Sequence, residues 1–166
     1  SSDLETDLEA LAGKYLTFEL GAEEYGLEIL KVQEIIGMLK VTRVPRAPEH
    51  VRGVVNLRGR VIPVVDLRHK FGLDAKEDTP RTCIIVVQVA QNDGSVTMGL
   101  IVDEVCEVRD IEGSQVEPTP DFGGKVDSKF ILGMGKVGDR VVMLLDVDSV
   151  MTRRELAFSD SKEAVA

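Results

Sequence analysis

The 166-residue chain carries 20 Lys and Arg against 29 Asp and Glu, a formal charge of −9, and 43% of it is hydrophobic. That balance argues against a nucleic-acid backbone or an anionic membrane surface as partner, since both need clustered positive charge. The length suits one ordinary domain or two very small ones, no run approaches 18 consecutive apolar residues, and Ser1–Glu5 lacks the basic and apolar regions of a signal peptide.

Residues 3–12 place Leu4, Leu8 and Leu11 at helical spacing among acids, which predicts a short N-terminal helix. From Lys14 the period changes to two. Tyr15, Thr17 and Glu19 alternate with Leu16, Phe18 and Leu20, the pattern of a half-buried strand. Gly21–Glu24 reads as a turn, and Tyr25–Ile36 as a strand pair or one bent strand, with Gly26 at a bulge or close approach. Pro45 and Pro48 rule out a central strand and predict an irregular loop, followed by a brief helical turn at 49–52. Gly53–Leu67 looks like a hairpin whose turn lies at Arg58-Gly59, where Gly supplies positive φ. Leu67–Phe71 reads as one helical turn stopped by Gly72, and 74–81 as a charged loop.

Thr82–Ala90 and Val96–Val102 form a second predicted hairpin around Asn92-Asp93-Gly94. Glu104–Ile111 continues as a strand, and Gly113–Ser128 is a long loop containing Pro118 and Pro120. Phe130–Gly133 and Val141–Val147 read as strands, Asp148–Leu156 as a C-terminal helix capped by Asp148, and the tail from Ser159 as disordered. The sum is about ten short strands with frequent turns, hence an all-β chain.

Two segments recur. Tyr25-Gly26-Leu27-Glu28-Ile29-Leu30-Lys31-Val32-Gln33-Glu34-Ile35 is echoed by Met98-Gly99-Leu100-Ile101-Val102-Asp103-Glu104-Val105-Cys106-Glu107-Val108, an offset of 73. Arg60-Val61-Ile62-Pro63-Val64-Val65-Asp66-Leu67 is echoed by Arg140-Val141-Val142-Met143-Leu144-Leu145-Asp146-Val147, an offset of 80. Valine-rich strands look alike, so the echo alone is weak. The flanks strengthen it: Val44–Glu49 parallels Glu117–Asp121 around paired prolines, and Gly53 parallels Gly133. Two similar β modules follow, each too small to bury much alone, so a shared apolar seam is expected.

The chemistry-bearing residues are few. Gly133-Met134-Gly135-Lys136-Val137-Gly138 matches G-x-G-x-x-G, but no helix opens after it to receive a pyrophosphate. His50 and His69 are the only histidines, neither beside a nucleophile, and read as lone surface residues. Asp146 and Asp148 lack the further oxygen ligands and glycine of a calcium loop. Cys83 and Cys106 have no CxxC spacing and read as buried, reduced thiols of a cytosolic protein. No metal, cofactor or catalytic set is expected. Arg58, on a tight hairpin in Asn56-Leu57-Arg58-Gly59-Arg60, is either a solvated turn residue or a rigidly held guanidinium for a partner's carboxylate or carbonyls. Val32, Ile35, Val105 and Val108 are core positions by default, or walls of a groove between modules suited to a partner helix.

Glu24–Ile35, Gly53–Gly59 with its Asn-Leu-Arg-Gly, and Ile62-Pro63-Val64-Val65-Asp66-Leu67-Arg68, taken in this order, resemble the CheW family of bacterial chemotaxis coupling proteins. Val102–Val108 resembles that family's second-half segment. The resemblance runs over 14–150, a CheW-like domain divided at about 14–81 and 82–150, with an N-terminal segment 1–13 and a C-terminal helix and tail 151–166. It implies two five-stranded SH3-like β-barrels on a shared hydrophobic seam. It also implies a non-enzymatic cytoplasmic adaptor, recruited to receptor arrays, that links the helical tip of chemoreceptors to the regulatory domain of the histidine kinase CheA. The resemblance places Val32, Glu34 and Arg58 in the receptor-contacting region with Val105 and Val108 nearby, and Gly53 and Asn56 in a region that affects coupling to the kinase. It is compatible, too, with a CheW-like domain of a larger signalling protein, of CheV type or from the kinase itself, or with an adaptor of a parallel motility pathway. Residues after Val150 show no receiver-like pattern, which favours a free-standing adaptor. The long Gly113–Ser128 loop lies where the family varies.

Overall fold

The structure, a computed structural model, describes residues 9–73, 77–91, 94–119, 130–151 and 155. Leu4 and Leu8, Asn92-Asp93, the second half of the 113–128 loop and the tail from Ser159 lie outside the described residues. Among the described residues, eleven strands run in chain order: β1 (Gly13–Leu20), β2 (Glu23–Glu28), β3 (Val32–Gly37), β4 (Val51–Leu57), β5 (Arg60–Asp66), β6 (Cys83–Gln91), β7 (Gly94–Val102), β8 (Glu104–Ile111), β9 (Val116–Glu117), β10 (Ile131–Val137) and β11 (Arg140–Leu145). One-turn helices α1 (Leu67–Lys70) and α2 (Val147–Val150) follow β5 and β11.

The strands form two sheets, ordered β8-β1-β2-β11-β10-β9 and β3-β6-β7-β5-β4. Neither is drawn from one half of the chain, so a boundary at 81/82 does not divide the strands as they pair. The β1–β2 hairpin leaves β3–β5 behind and joins β8–β11 through a parallel pairing of β2 with β11. The β6–β7 hairpin joins β3–β5 through a parallel pairing of β7 with β5. The duplication is real in three dimensions, but each copy lends its first hairpin to the other.

The two sheets match in detail. Gly26 pairs with Leu144 and Gly99 with Val64, the same place in each parallel seam. The register shifts between Val51 and Gly53 in one and between Ile131 and Gly133 in the other. A second bulge falls at Gln33 of β3 and at Cys106-Glu107 of β8. Each sheet closes alike: the chain leaving β3 returns through a Thr42↔Val54 bridge to the free side of β4, and the chain leaving β8 returns as β9 against β10. The two-residue β9 is the counterpart of that bridge, which is why a five-stranded unit counts six strands on one side. These are two SH3-like half-barrels on a common frame.

Period two sets the core. In β6, Ile84 and Val86 point into one barrel with Val55, Ile62, Val64 and Ile101, while Ile85, Val87 and Val89 point into the seam. Burial on both faces explains its apolar run from Ile84 to Val87. β1 behaves likewise: Leu16, Phe18 and Leu20 enter the seam, Tyr15 enters the other barrel, and Thr17 is fully buried. The half-buried strand expected there is therefore covered on both sides. Thr17 donates its hydroxyl to the Glu107 carbonyl at 2.7 Å and accepts from the Glu107 amide at 3.2 Å, satisfying the bulge of β8. The expected seam is the largest apolar cluster, with strands of both sheets contributing.

Several local expectations are corrected. Val51-Arg52 belong to β4 rather than to a helical turn. The strand expected to end at Gly133 runs on as β10 to Val137, carrying Gly133–Gly138 into a hairpin turn. The cap of α2 is Asp146, which accepts from the Asp148 amide, as Asp66 caps α1 by accepting from Arg68. Asp148 instead accepts from the Ala90 amide at 2.8 Å and from Lys31 at 2.9 Å, pinning the end of β6. Neither thiol is buried: Cys83 is half-exposed and Cys106 exposed, because the β8 bulge turns that side chain outward. Burial still pushes both thiols above their ordinary pKa, as do nearby carboxylates, while the Val105 amide pulls Cys83 back down.

Candidate functional site: the polar mouth of the first barrel

The β4–β5 hairpin turns through Arg58 (φ 52°) and Gly59 (φ 85°), both with the positive φ that a type I′ turn requires. The Asn56 side chain accepts from the Gly59 amide at 2.8 Å and fixes the turn. The matching place in the other copy is Gly138 (φ 63°). The first copy thus holds an arginine where its sister uses the residue that tolerates this backbone. A non-glycine residue held there is a pointer to function rather than to folding.

The same alternation that sends Ile84 and Val86 inward brings Gln88 to the barrel's mouth. Thr97 precedes Gly99 and Ile101 on β7, and Arg60 precedes Ile62 and Val64 on β5, so both lie at the same end of the sheet. These side chains form one row across the sheet. Gln88 Nε2 donates to Gln33 Oε1 at 2.6 Å and to Thr97 Oγ1 at 2.7 Å, Arg60 donates to Thr97 Oγ1 at 3.0 Å, and Ser95 Oγ donates to Gln88 Oε1 at 2.9 Å. Glu34, on the inward side of β3 with Ile36, forms an ion pair with Arg58. β3 and β4 are the two ends of the sheet, so this contact draws its ends together over the core. Arg58 is nevertheless 69% exposed, so its guanidinium remains open to a partner.

The expected residues therefore fall in four places. Glu34, Arg58 and Asn56 meet at the mouth. Val32 and Val105 occupy equivalent places in the two copies, pair with Val87 and Phe18, and pack partly buried against the seam. Val108 lies on β8 of the other sheet, 48% exposed, matched by Ile35 of β3 at 44%. Gly53 lies where the barrel closes. Its φ is 153°, and a Cβ there would stand 2.3 Å from the Thr42 carbonyl oxygen. Gln33, Gln88, Thr97 and Arg60 escaped the sequence reading. The only signal for them was a polar residue breaking each valine run.

Among the described residues no group of three or more His, Cys, Asp or Glu could hold a metal ion, and no helix is long and apolar enough to cross a membrane. The ionic cluster at the other end of β5 from the mouth is structural. Arg68 is buried and hydrogen-bonds Asp66 at 3.0 and 3.1 Å, Asp78 at 3.1 Å and Asp103 at 3.4 Å. Asp103 in turn accepts from the Gly21 amide of the β1–β2 turn at 2.8 Å, so one guanidinium ties both sheets. Burial works against its charge, but the hydrogen bonds from Arg68 to Asp66 and Asp78 outweigh that and raise its pKa.

The model of the CheW-like domain matches residues 14–155. A protein named Chemotaxis protein CheW from Klebsiella aerogenes is 37% identical over 153 residues, 92% of this chain and 90% of that protein. The Rhizobium meliloti protein of the same name is 36% identical over 140 residues, 84% of this chain and 88% of its own. Chemotaxis protein CheV3 of Helicobacter pylori is 28% identical over 142 residues, which take in 44% of that protein. The crystal structure of the scaffolding protein TtCheW from Thermoanaerobacter tengcongensis superimposes with a TM-score of 0.76 at 32% identity, covering 87% of this chain and 91% of that one. With the interleaved half-barrels and these matches in agreement, the chain belongs to the CheW-like family of chemotaxis scaffolding and adaptor proteins.

Proposed function

We propose that this protein couples chemoreceptors to the histidine kinase CheA in bacterial chemotaxis, binding the receptors' cytoplasmic helical tip and the kinase's regulatory domain without chemistry of its own. It works in the cytoplasm, held at receptor arrays by those contacts. The observation that carries this reading is Arg58: an exposed guanidinium on a rigid turn, in a backbone region its sister copy reserves for Gly138, aimed by Glu34. Such a group suits a carboxylate or helix carbonyls on a partner. Glu34 and Arg58 form the centre of the receptor surface, with Val32, Val105 and Val108 flanking it. Gly53 and Asn56 act indirectly, one by letting the barrel close and the other by holding the turn.

Mixing the protein with receptor tips and CheA should alter kinase autophosphorylation and give a complex on size exclusion. Neither effect appearing would overturn the proposal. The CheV3 match supports a second reading, a CheW-like unit within a larger signalling chain. The intact mass of the native protein separates the two.

A further inference from the structure

His50 precedes β4 and His69 lies on α1, yet their Nδ1 atoms are 2.8 Å apart and their rings 4.9 Å apart, tilted by 58°. We propose that this pair is a proton-operated latch between the loop entering β4 and α1, closed while the two facing nitrogens share one proton and opened by a second. A hydrogen bond between imidazole nitrogens needs one N–H and one lone pair. When both rings are cationic, both Nδ1 atoms carry hydrogen, and the contact becomes donor against donor and charge against charge.

The surroundings favour a closed latch at neutral pH. Lys70 on α1 faces the pair with positive charge, while Glu49 of the loop and Glu155 of the C-terminal segment supply negative charge. Lys70 and Glu155 are both buried and ion-paired with each other. Burial first, then Lys70 and His69, hold His50 below its ordinary value against the pull of the two glutamates. The latch bears on a connected element. The His50 carbonyl accepts from the Asp66 amide at 3.0 Å, and Asp66 both caps α1 and holds Arg68. The other copy keeps the backbone half of this arrangement, with Asp146 donating to the Phe130 carbonyl at 2.9 Å. Its residues at the equivalent places, Phe130 and Ser149, cannot titrate, so the latch belongs to one barrel only.

With two histidines in the chain, the imidazole proton resonances of the intact protein can be followed by NMR from about pH 8 to about pH 5, with EDTA present so that no metal bridges the rings. We expect His50 to protonate below the ordinary imidazole value near 6.5. The His50 ring should move back toward that value in His69→Phe, or in His69→Ala should the first variant not fold. Amide protection in 44–50 and 67–72 should fall about tenfold or more as the second proton binds in the wild type, and stay level in the variant. Two rings titrating independently near the ordinary value, or protection in both segments unchanged across the titration, would overturn the latch.

Discussion

Arg58 occupies a left-handed backbone conformation that costs an L-residue about 1–2 kcal/mol relative to its usual regions. Its ion pair with Glu34 is too exposed to return much, about 0–1 kcal/mol. Replacing it should therefore cost the fold little. Arg58→Gly, which gives this turn the residue of its sister at 138, should leave the melting temperature within a few degrees or raise it. Receptor binding should still drop about tenfold or more as a charge-assisted contact is lost. Thermal melts and receptor-tip titrations on the same sample decide the matter: a large fall in melting temperature would make Arg58 a structural residue. Gly53 poses the opposite case. A methyl group there meets the Thr42 carbonyl oxygen and the Val41 side chain, at a φ of 153°. Overpacking and backbone strain each cost about 1–3 kcal/mol, so Gly53→Ala should lower the urea midpoint substantially. Any loss of coupling in that variant would follow from an opened barrel.

At the scale of elements, the ionic cluster around Arg68 joins α1, β4, the 77–82 segment and the turn between β7 and β8. Removing one partner from a buried cluster costs about 3–5 kcal/mol, because the carboxylates of Asp66 and Asp103 would stay behind without their cation. Arg68→Ala should approach that figure, whereas Lys14→Ala, which breaks an exposed pair with Asp110, should change stability by no more than about 0.5 kcal/mol. Asp78 adds a pH dependence. Burial raises its pKa, but hydrogen bonds from Arg52 and Arg68 lower it further, and the net shift is downward. A carboxylate depressed on folding stabilises the protein above its unfolded pKa near 3.9, and that contribution disappears as pH falls through the folded value. Asp78→Asn should flatten the acid limb of a urea-midpoint profile below about pH 4. Strands and hairpin turns were legible because valine runs, prolines and Arg58-Gly59 are local signals. The cap at Asp146 was misread: Asp148, two residues on, has identical capping chemistry, and only the equivalence of Asp146 with Asp66 in the repeat separates the two. The polar row across the mouth of the barrel was not legible. Gln33, Gln88, Thr97 and Arg60 come from four strands, and only the pairing order brings them into one row. The His50–His69 contact escaped for the same reason: 19 residues separate them, and the β4–β5 hairpin brings them back together.

At the scale of the whole molecule, duplication with exchange changes what counts as a unit. Sequence similarity alone favours two modules cut near residue 81, yet every strand ladder that completes a half-barrel crosses that point: β1 with β8, β2 with β11, β3 with β6, and β5 with β7. The apolar seam also draws on both sheets. A fragment of residues 1–81 would keep the β1–β2 and β4–β5 hairpins but lose the hairpin that lies between β3 and β5. Isolated two-stranded hairpins are at best marginally stable in water. The rest of each half-barrel's hydrophobic face would be open, and a chain of that length buries too little surface to compensate. Fragments 1–81 and 82–166 should therefore show no cooperative melt when prepared separately, and should recover native-like circular dichroism and a one-to-one complex when mixed. The intact chain should unfold in one transition, with fluorescence of Tyr15 and Tyr25, which report the first sheet, coinciding with far-ultraviolet signal from both. Independent folding of either fragment, or two separated transitions in the intact protein, would mean that each copy is self-sufficient and that the exchanged hairpins contribute little. Coupling through the shared frame has a functional corollary. Under the proposed coupling role, a contact at the mouth of one barrel would act on a sheet packed on the same apolar seam as the other, so the two barrels would respond as one unit.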